Sequence, residues 1–166
     1  MATVETHPSH SIAVLLADID GTIVTKDKVI TERAREAVQH LREQGVIFTV
    51  TSGRPPRGMR MMVEPLGLTM PMAAFNGGVI MLPDLSVLDQ RTVPDYLLPG
   101  LVETMESHGL DVWLYSATDW YVRDRNAYRV ARESSTVQFD PTVVPSFDKV
   151  LTGIVKVVGV ISTRRP

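Results

Sequence analysis

An α/β fold, a parallel sheet followed by a mixed α+β module, is predicted by three features of the sequence. Three short apolar runs, at 12–17, 46–51 and 72–75, are joined by two stretches with helical character. Each run stops at a polar turn: Asp18, then Ser52-Gly53, then Asn76-Gly77-Gly78. Beyond about Arg91 the alternation of strand and helix gives way to hairpin-like pairs. Strand, helix, strand, helix, strand in that order predicts parallel pairing with right-handed crossovers.

Taken along the chain, residues 12–17 are continuously apolar, which suits a strand buried on both faces. Thr31 is a candidate cap for a helix over 32–44, and Gly45 a candidate stop. Ala34, Ala37, Val38 and Leu41 share one face at helical spacing. Residues 46–51 read as a second buried strand, broken by Ser52-Gly53-Arg54-Pro55, with a helix expected near 57–64 and a third strand at 72–75. Residues 79–82 and 87–88 flank Pro83-Asp84, a hairpin signal. Helical spacing returns over 96–108, with Leu97, Leu101, Met105 and His108 near one face and Pro99 early enough to be tolerated. Residues 111–115 and 120–123 read as an antiparallel pair, 126–133 as a helix, 134–149 as irregular, and 153–161 as a final β-rich run. Trp113, Tyr115, Trp120 and Tyr121 could line a pocket, but alternating aromatics on a hairpin more often pack a local core.

Composition narrows the function. Hydrophobic residues make up 44% of the 166 and the net charge is −2, which fits a globular chain without the basic footprint of a nucleic-acid binder. A basic cluster at 54–60 is short enough to be a solvated helix face. With no cysteine, neither disulfides nor thiolate metal sites are available. Residues 1–11 are polar, lack the basic start and apolar run of a signal peptide, and read as a disordered leader; a cytoplasmic location is expected. No apolar stretch approaches membrane-spanning length.

The chemistry is concentrated at the three strand ends, where open α/β sheets bind ligands. Asp18-Ile19-Asp20-Gly21-Thr22 places two carboxylates, separated by one residue, after the first strand. One can attack phosphorus; the other can protonate a leaving oxygen and then activate water. Gly21 lets the backbone turn beside the ligand, and a hard cation such as Mg²⁺ suits carboxylate oxygens. The plainer alternative is an Asp-Gly turn. Ser52-Gly53 offers a hydroxyl and backbone N–H groups for phosphoryl oxygens, or else simply a helix cap. Arg54 offers a fork for phosphate, or is a surface arginine held extended by Pro55. Asn76-Gly77-Gly78 alone is a turn signal. Parallel strands bring all three turns to one end of a sheet.

These residues carry a family resemblance. Asp18-Ile19-Asp20-Gly21-Thr22 resembles the D-x-D-G-T signature of the haloacid dehalogenase superfamily. Ser52-Gly53-Arg54 resembles its second motif in the Cof-type branch, and Asn76-Gly77-Gly78 with the hairpin after it is similar to that branch as well. The resemblance implies a Rossmann-like, parallel, three-layer core over 12–90, incomplete here, and an α/β cap over 91–166 that covers the site and selects substrate. It implies that Asp18 is the nucleophile and Asp20 the general acid and base. Mg²⁺ would bind the Asp18 carboxylate and the Asp20 backbone carbonyl. Ser52 and Gly53 would hold the phosphoryl group, with Arg54, Asn76 and Gly77 at the substrate end.

Two further elements of that family have no counterpart. There is no Gly-Asp dipeptide to complete a Mg²⁺ shell, and Lys149 and Lys156 make poor matches for the neutralising lysine, Lys156 falling in a strand-like run. The chain is therefore expected to end inside the cap and to leave one sheet edge uncovered, an invitation to self-association. The resemblance implies a Mg²⁺-dependent phosphatase of small phosphorylated metabolites such as sugar phosphates, weak or inactive as this short chain. A phosphomutase of the same superfamily and a non-catalytic phosphate-binding or assembly module are the alternatives. No nucleic-acid or membrane partner is expected.

Overall fold

The computed structural model describes residues 12–161 and holds two sheets; the expected leader at 1–11 lies outside the described residues. The first sheet runs in chain order: β1 (Val14–Asp18), β2 (Ile47–Thr51), β3 (Met72–Ala74), β4 (Val79–Met81) and β5 (Val87–Gln90). β1 pairs parallel with β2 in a register that sets Val14 opposite Ile47 and Asp18 opposite Thr51. β3 continues parallel, with Thr51 opposite Ala73, and β4 and β5 add antiparallel strands through the Pro83-Asp84 turn.

Two helices make the crossovers. α1 (Glu32–Glu43) starts where the Thr31 hydroxyl accepts the Ala34 N–H at 3.2 Å, and it reverses at Gly45, whose φ of +76° glycine adopts without strain. The Arg42 guanidinium donates to the Leu66 and Gly67 carbonyls, satisfying the turn after the second crossover. α2 (Pro56–Val63) opens on a proline, whose fixed φ suits a first helical turn, and buries Gly58, Met59 and Met62.

The second sheet has the order β8-β7-β6-β9. β6 (Leu110–Tyr115) lies antiparallel between β7 (Trp120–Val122) and β9 (Lys156–Ile161), with β8 (Thr142–Val143) parallel to β7. α3 (Leu98–Ser107) packs on β6, and α4 (Val130–Val137) packs on α2. The period-2 alternation of β6 divides the apolar interior. Val112 and Leu114 join Leu98, Phe147 and Ile154 beneath α3. Trp113 and Tyr115 point the other way and, with Trp120, join Met59, Met62 and Phe75 of the first layer. Among the described residues, no helix is long and apolar enough to cross a membrane.

Four expectations are corrected. β1 is not buried on both faces: it is the sheet edge, and Val14, Leu15 and Leu16 are 53%, 39% and 55% exposed. The apolar run identifies the strand, but burial depends on neighbours that β1 lacks on its outer side. The buried face of α3 is Leu98, Val102 and Met105, while Leu97 and Leu101 are exposed; both rows are apolar, so spacing alone could not choose between them. The helix expected at 126–133 begins instead at Val130. Asn126 donates to the Asp124 carboxylate at 2.8 Å in a turn, and Arg129 takes φ +71° before the helix starts. The helix then runs into the stretch read as irregular, which also contains β8. Finally, Trp113, Tyr115 and Trp120 do not fill a core private to the second layer but seal it to the first; the Tyr115 and Phe75 rings meet edge-on at 5.7 Å.

Candidate active site

β1 and β2 end side by side, and the turns that leave them make the site. Ile19, directly after Asp18, is fully buried and its carbonyl accepts the N–H groups of Thr22, Ile23 and Val24 at 3.3, 3.0 and 3.1 Å. This tight turn, with Gly21 at φ +85°, plants the apolar residue inward and leaves Asp18 and Asp20 flanking it. Asp18 is exposed and, among the described residues, its carboxylate forms neither an ion pair nor a hydrogen bond.

Asp20 is held firmly. Arg54 grips it with two parallel hydrogen bonds, Nε to Oδ2 at 2.8 Å and Nη2 to Oδ1 at 2.9 Å, and Lys28 Nζ reaches Oδ1 at 2.6 Å. The Arg54 hydrogen bond above all holds the Asp20 carboxyl at about 2; partial burial opposes it and Lys28 adds to it. Arg54 is only 4% exposed, and its Nη1 donates to the Thr136 carbonyl of α4 at 2.9 Å. Read from the sequence as substrate-facing, Arg54 is turned inward, where it links Asp20 to the second layer.

Ser52 is 1% exposed, and its Oγ accepts the Arg54 N–H at 3.2 Å. The turn it begins is zipped to the turn after β3: Asn76 N–H donates to the Ser52 carbonyl at 2.7 Å and Phe75 N–H to the Arg54 carbonyl at 3.0 Å. That pairing holds Phe75 and Asn76 at φ +50° and +56°, a conformation unusual for a bulky residue and better tolerated by asparagine. Gly53 lies against the Asn76 side chain, where an added Cβ would sit 3.7 Å from its amide atoms. Gly77, at φ +94°, is exposed beside them. From β9, Lys156 Nζ donates to the Gly53 carbonyl at 3.1 Å.

Thus Asp20, Ser52, Gly53, Arg54 and Asn76 form one bonded or touching cluster, and Asp18 abuts it through its register with Thr51. Sequence reasoning missed Lys28, one polar residue in a run of them with no spacing signal to distinguish it. It also set Lys156 aside as a strand residue. A divalent cation finds modest ligation here. Among the described residues no three His, Cys, Asp or Glu side chains converge, and the Asp20 carboxylate is already occupied by two cationic side chains. The exposed Asp18 carboxylate with a backbone carbonyl fits a Mg²⁺ that keeps most of its waters, as that ion commonly does.

The chain and its fold are similar to known proteins. Residues 15–165 match the family model of the haloacid dehalogenase-like hydrolases. A phosphatase-named protein of Streptococcus pyogenes is 31% identical over 135 residues, covering 76% of this chain and 49% of that protein. The 5-amino-6-(5-phospho-D-ribitylamino)uracil phosphatase YitU of Bacillus subtilis is 33% identical over 95 residues, 56% of this chain and 35% of its own. Among solved structures, a haloacid dehalogenase-like hydrolase from Bacteroides thetaiotaomicron superposes with a TM-score of 0.71 at 22% identity, over 82% of this chain and 53% of that one. The chain spans about half the length of these relatives or less. With its D-x-D-G-T turn at the end of a parallel strand and a family match across nearly its whole length, the chain belongs to the haloacid dehalogenase-like hydrolases.

Proposed function

We propose that the chain carries the nucleophile and phosphoryl cradle of a Mg²⁺-dependent phosphatase acting on small phosphorylated metabolites, sugar and sugar-alcohol phosphates among them. The observation that carries this reading is the exposed Asp18 carboxylate at the end of β1, in register with Thr51 and one residue from the buried Ser52 turn. The name of the relative YitU, a phosphatase of a phosphorylated ribityl compound, supports the substrate class. Residues 91–166 are read as the cap, the protein as cytoplasmic and its partner as the small metabolite.

In the reaction, an Asp18 oxygen attacks phosphorus in line with the ester oxygen, and the P–O bond to the leaving alcohol breaks as Asp20 delivers its proton to that oxygen. Asp20, now a carboxylate, takes a proton from water, whose oxygen attacks the aspartyl-phosphate and releases inorganic phosphate and free Asp18. Ser52 and the adjacent N–H groups bind the equatorial oxygens. Mg²⁺, held by the Asp18 carboxylate and the Asp20 carbonyl, would offset phosphate charge. To act as an acid Asp20 must gain a proton that Arg54 and Lys28 now disfavour. A phosphoryl group that draws the half-exposed Lys28 toward itself loosens that hold.

The experiment is hydrolysis of p-nitrophenyl phosphate and a panel of sugar phosphates with Mg²⁺, for the 166-residue chain, for its fusion to the C-terminal half of the Streptococcus pyogenes relative, and for Asp18→Asn in each. Weak or no turnover is expected from the chain alone, because loss of even one preorganised stabilising donor costs roughly 10²–10³ in rate. The fusion should turn over, and Asp18→Asn should abolish it. Turnover that survives Asp18→Asn sinks the reading. A second reading, a non-catalytic phosphate-binding module, is favoured by the double cationic hold on Asp20. It gains if both forms bind oxyanions and neither turns over.

A further inference from the structure

The cations near the cradle come from three places, and one of them belongs to the second sheet. Lys156 is the first residue of β9, paired with Tyr115 at the end of β6. Its neighbour Val155 is fastened there by an N–H bond to the Tyr115 carbonyl at 2.7 Å. Val155 also sits so close to the turn after Asn76 that a Cβ on Gly78 would lie 2.9 Å from its Cγ1. The start of β9 is therefore pressed onto the first layer at the candidate site. From there the Lys156 stem passes the Phe75 and Tyr115 rings, with the ammonium 5.8 Å from each ring centre, and ends 3.1 Å from the Gly53 carbonyl.

This arrangement does more than a latch requires. An ammonium has three N–H donors, and among the described residues Gly53 takes one of them. That acceptor belongs to the Ser52-Gly53 turn, which also lies against the Asn76 side chain, so the ammonium stands at the candidate cradle with two donors left. Arg54 cannot serve there, since it is buried on Asp20, and Lys28 stands on the Asp20 side of the site, at that carboxylate. The aromatic walls restrict the lysine stem, which lowers the entropy lost on binding an anion.

Resting on the phosphatase reading, we propose that Lys156 is a substrate-binding residue supplied by the second sheet, its ammonium taking a phosphoryl oxygen of the substrate seated at the Ser52-Gly53 turn. The cradle is complete only when the second layer lies against the first, so anion binding and the seating of β9 reinforce each other.

The test is calorimetric titration of tungstate, a phosphoryl mimic, into the 166-residue chain and its Lys156→Met, Lys156→Arg and Ser52→Ala variants, with thermal melts of each without anion. Methionine keeps the apolar stem against the rings and removes the charge. The expectation for Lys156→Met is a tungstate affinity at least about tenfold weaker, as loss of a hydrogen bond from a charged donor entails. Lys156→Arg should recover most of it. In both, melting should stay within a few degrees of wild type. A mere latch predicts the reverse pattern: a lower melting temperature with unchanged affinity. Should Lys156→Met fail to fold, Lys156→Gln provides the same comparison. Wild-type affinity in the neutral variant, with Ser52→Ala weakened, overturns this proposal and leaves the phosphatase reading standing. Failure of the wild-type chain to bind tungstate at all overturns both.

Discussion

Asp18 and Asp20 are two residues apart and chemically alike, yet their neutral amides should affect stability very differently. Asp20 lies between Arg54 and Lys28, whereas Asp18 is exposed without a partner among the described residues. A fall in the carboxyl pKa from 3.8 to about 2 corresponds to roughly 2.4 kcal/mol at 1.36 kcal/mol for each tenfold in proton affinity. The Asp20 side chain is a third exposed, so screening reduces this to about 1–2 kcal/mol. Asp20→Asn adds a second cost, because Arg54 remains buried with its charge uncompensated; breaking a fully buried pair costs roughly 3–5 kcal/mol, and this half-open one less. The sum is about 2–3 kcal/mol, or roughly 5–10 °C in melting temperature for a chain of this size. Asp18→Asn should stay within about 0.5 kcal/mol. The folded Asp20 pKa is depressed, so its contribution is complete above the unfolded value near 3.8 and disappears as pH falls through about 2. In urea titrations the ionisation-dependent part of the gap between wild type and Asp20→Asn should be about half gone at pH 3 relative to pH 5. Equal stability of the two amide variants, or a gap unchanged at pH 3, would refute the assignment of Arg54 and Lys28 to Asp20.

Two further outcomes are expected. Gly78→Ala should cost roughly 1–3 kcal/mol by overpacking, because its methyl would meet Val155 Cγ1 at 2.9 Å and Phe75 Cβ at 3.2 Å; Val155→Ala in the same chain should recover much of that loss, and a melt of the double variant no higher than that of Gly78→Ala argues against this contact. At the open edge of the first sheet, Val14 and Leu16 should drive concentration-dependent self-association measurable by sedimentation, and Leu16→Lys should shift it toward monomer; identical sedimentation of the two chains removes β1 from consideration as the contact.

Much of the fold could be read locally. The first three strands, the capped α1 and the Pro83-Asp84 hairpin arise from short-range chemistry: apolar runs ended by turn residues, a threonine hydroxyl at a helix start, a glycine where φ is positive. Errors fell where two local patterns were equally good. Leu97 and Leu98 head competing apolar rows on α3, and packing against β6 decided between them. Arg129, in a left-handed conformation set by the preceding turn, delayed α4.

The same division runs through the candidate site. Sequence by itself determined which groups stand at the strand ends: the carboxylates at Asp18 and Asp20, the Ser52-Gly53 turn and the Asn76-Gly77-Gly78 turn, because a parallel sheet with short crossovers must bring those ends together. Only the tertiary structure decided what each group faces. Arg54 offers the same fork to a phosphate or a carboxylate; it took Asp20 because α2 and α4 close over it, where the Gly58 and Thr136 carbonyls and the Met61 sulfur accept its remaining donor. Lys156 is 103 residues from Gly53, and no periodicity links them. Their contact exists because the aromatic face of β6 seals the second sheet onto the first, and burial against a distant surface is a property that no local window of sequence contains.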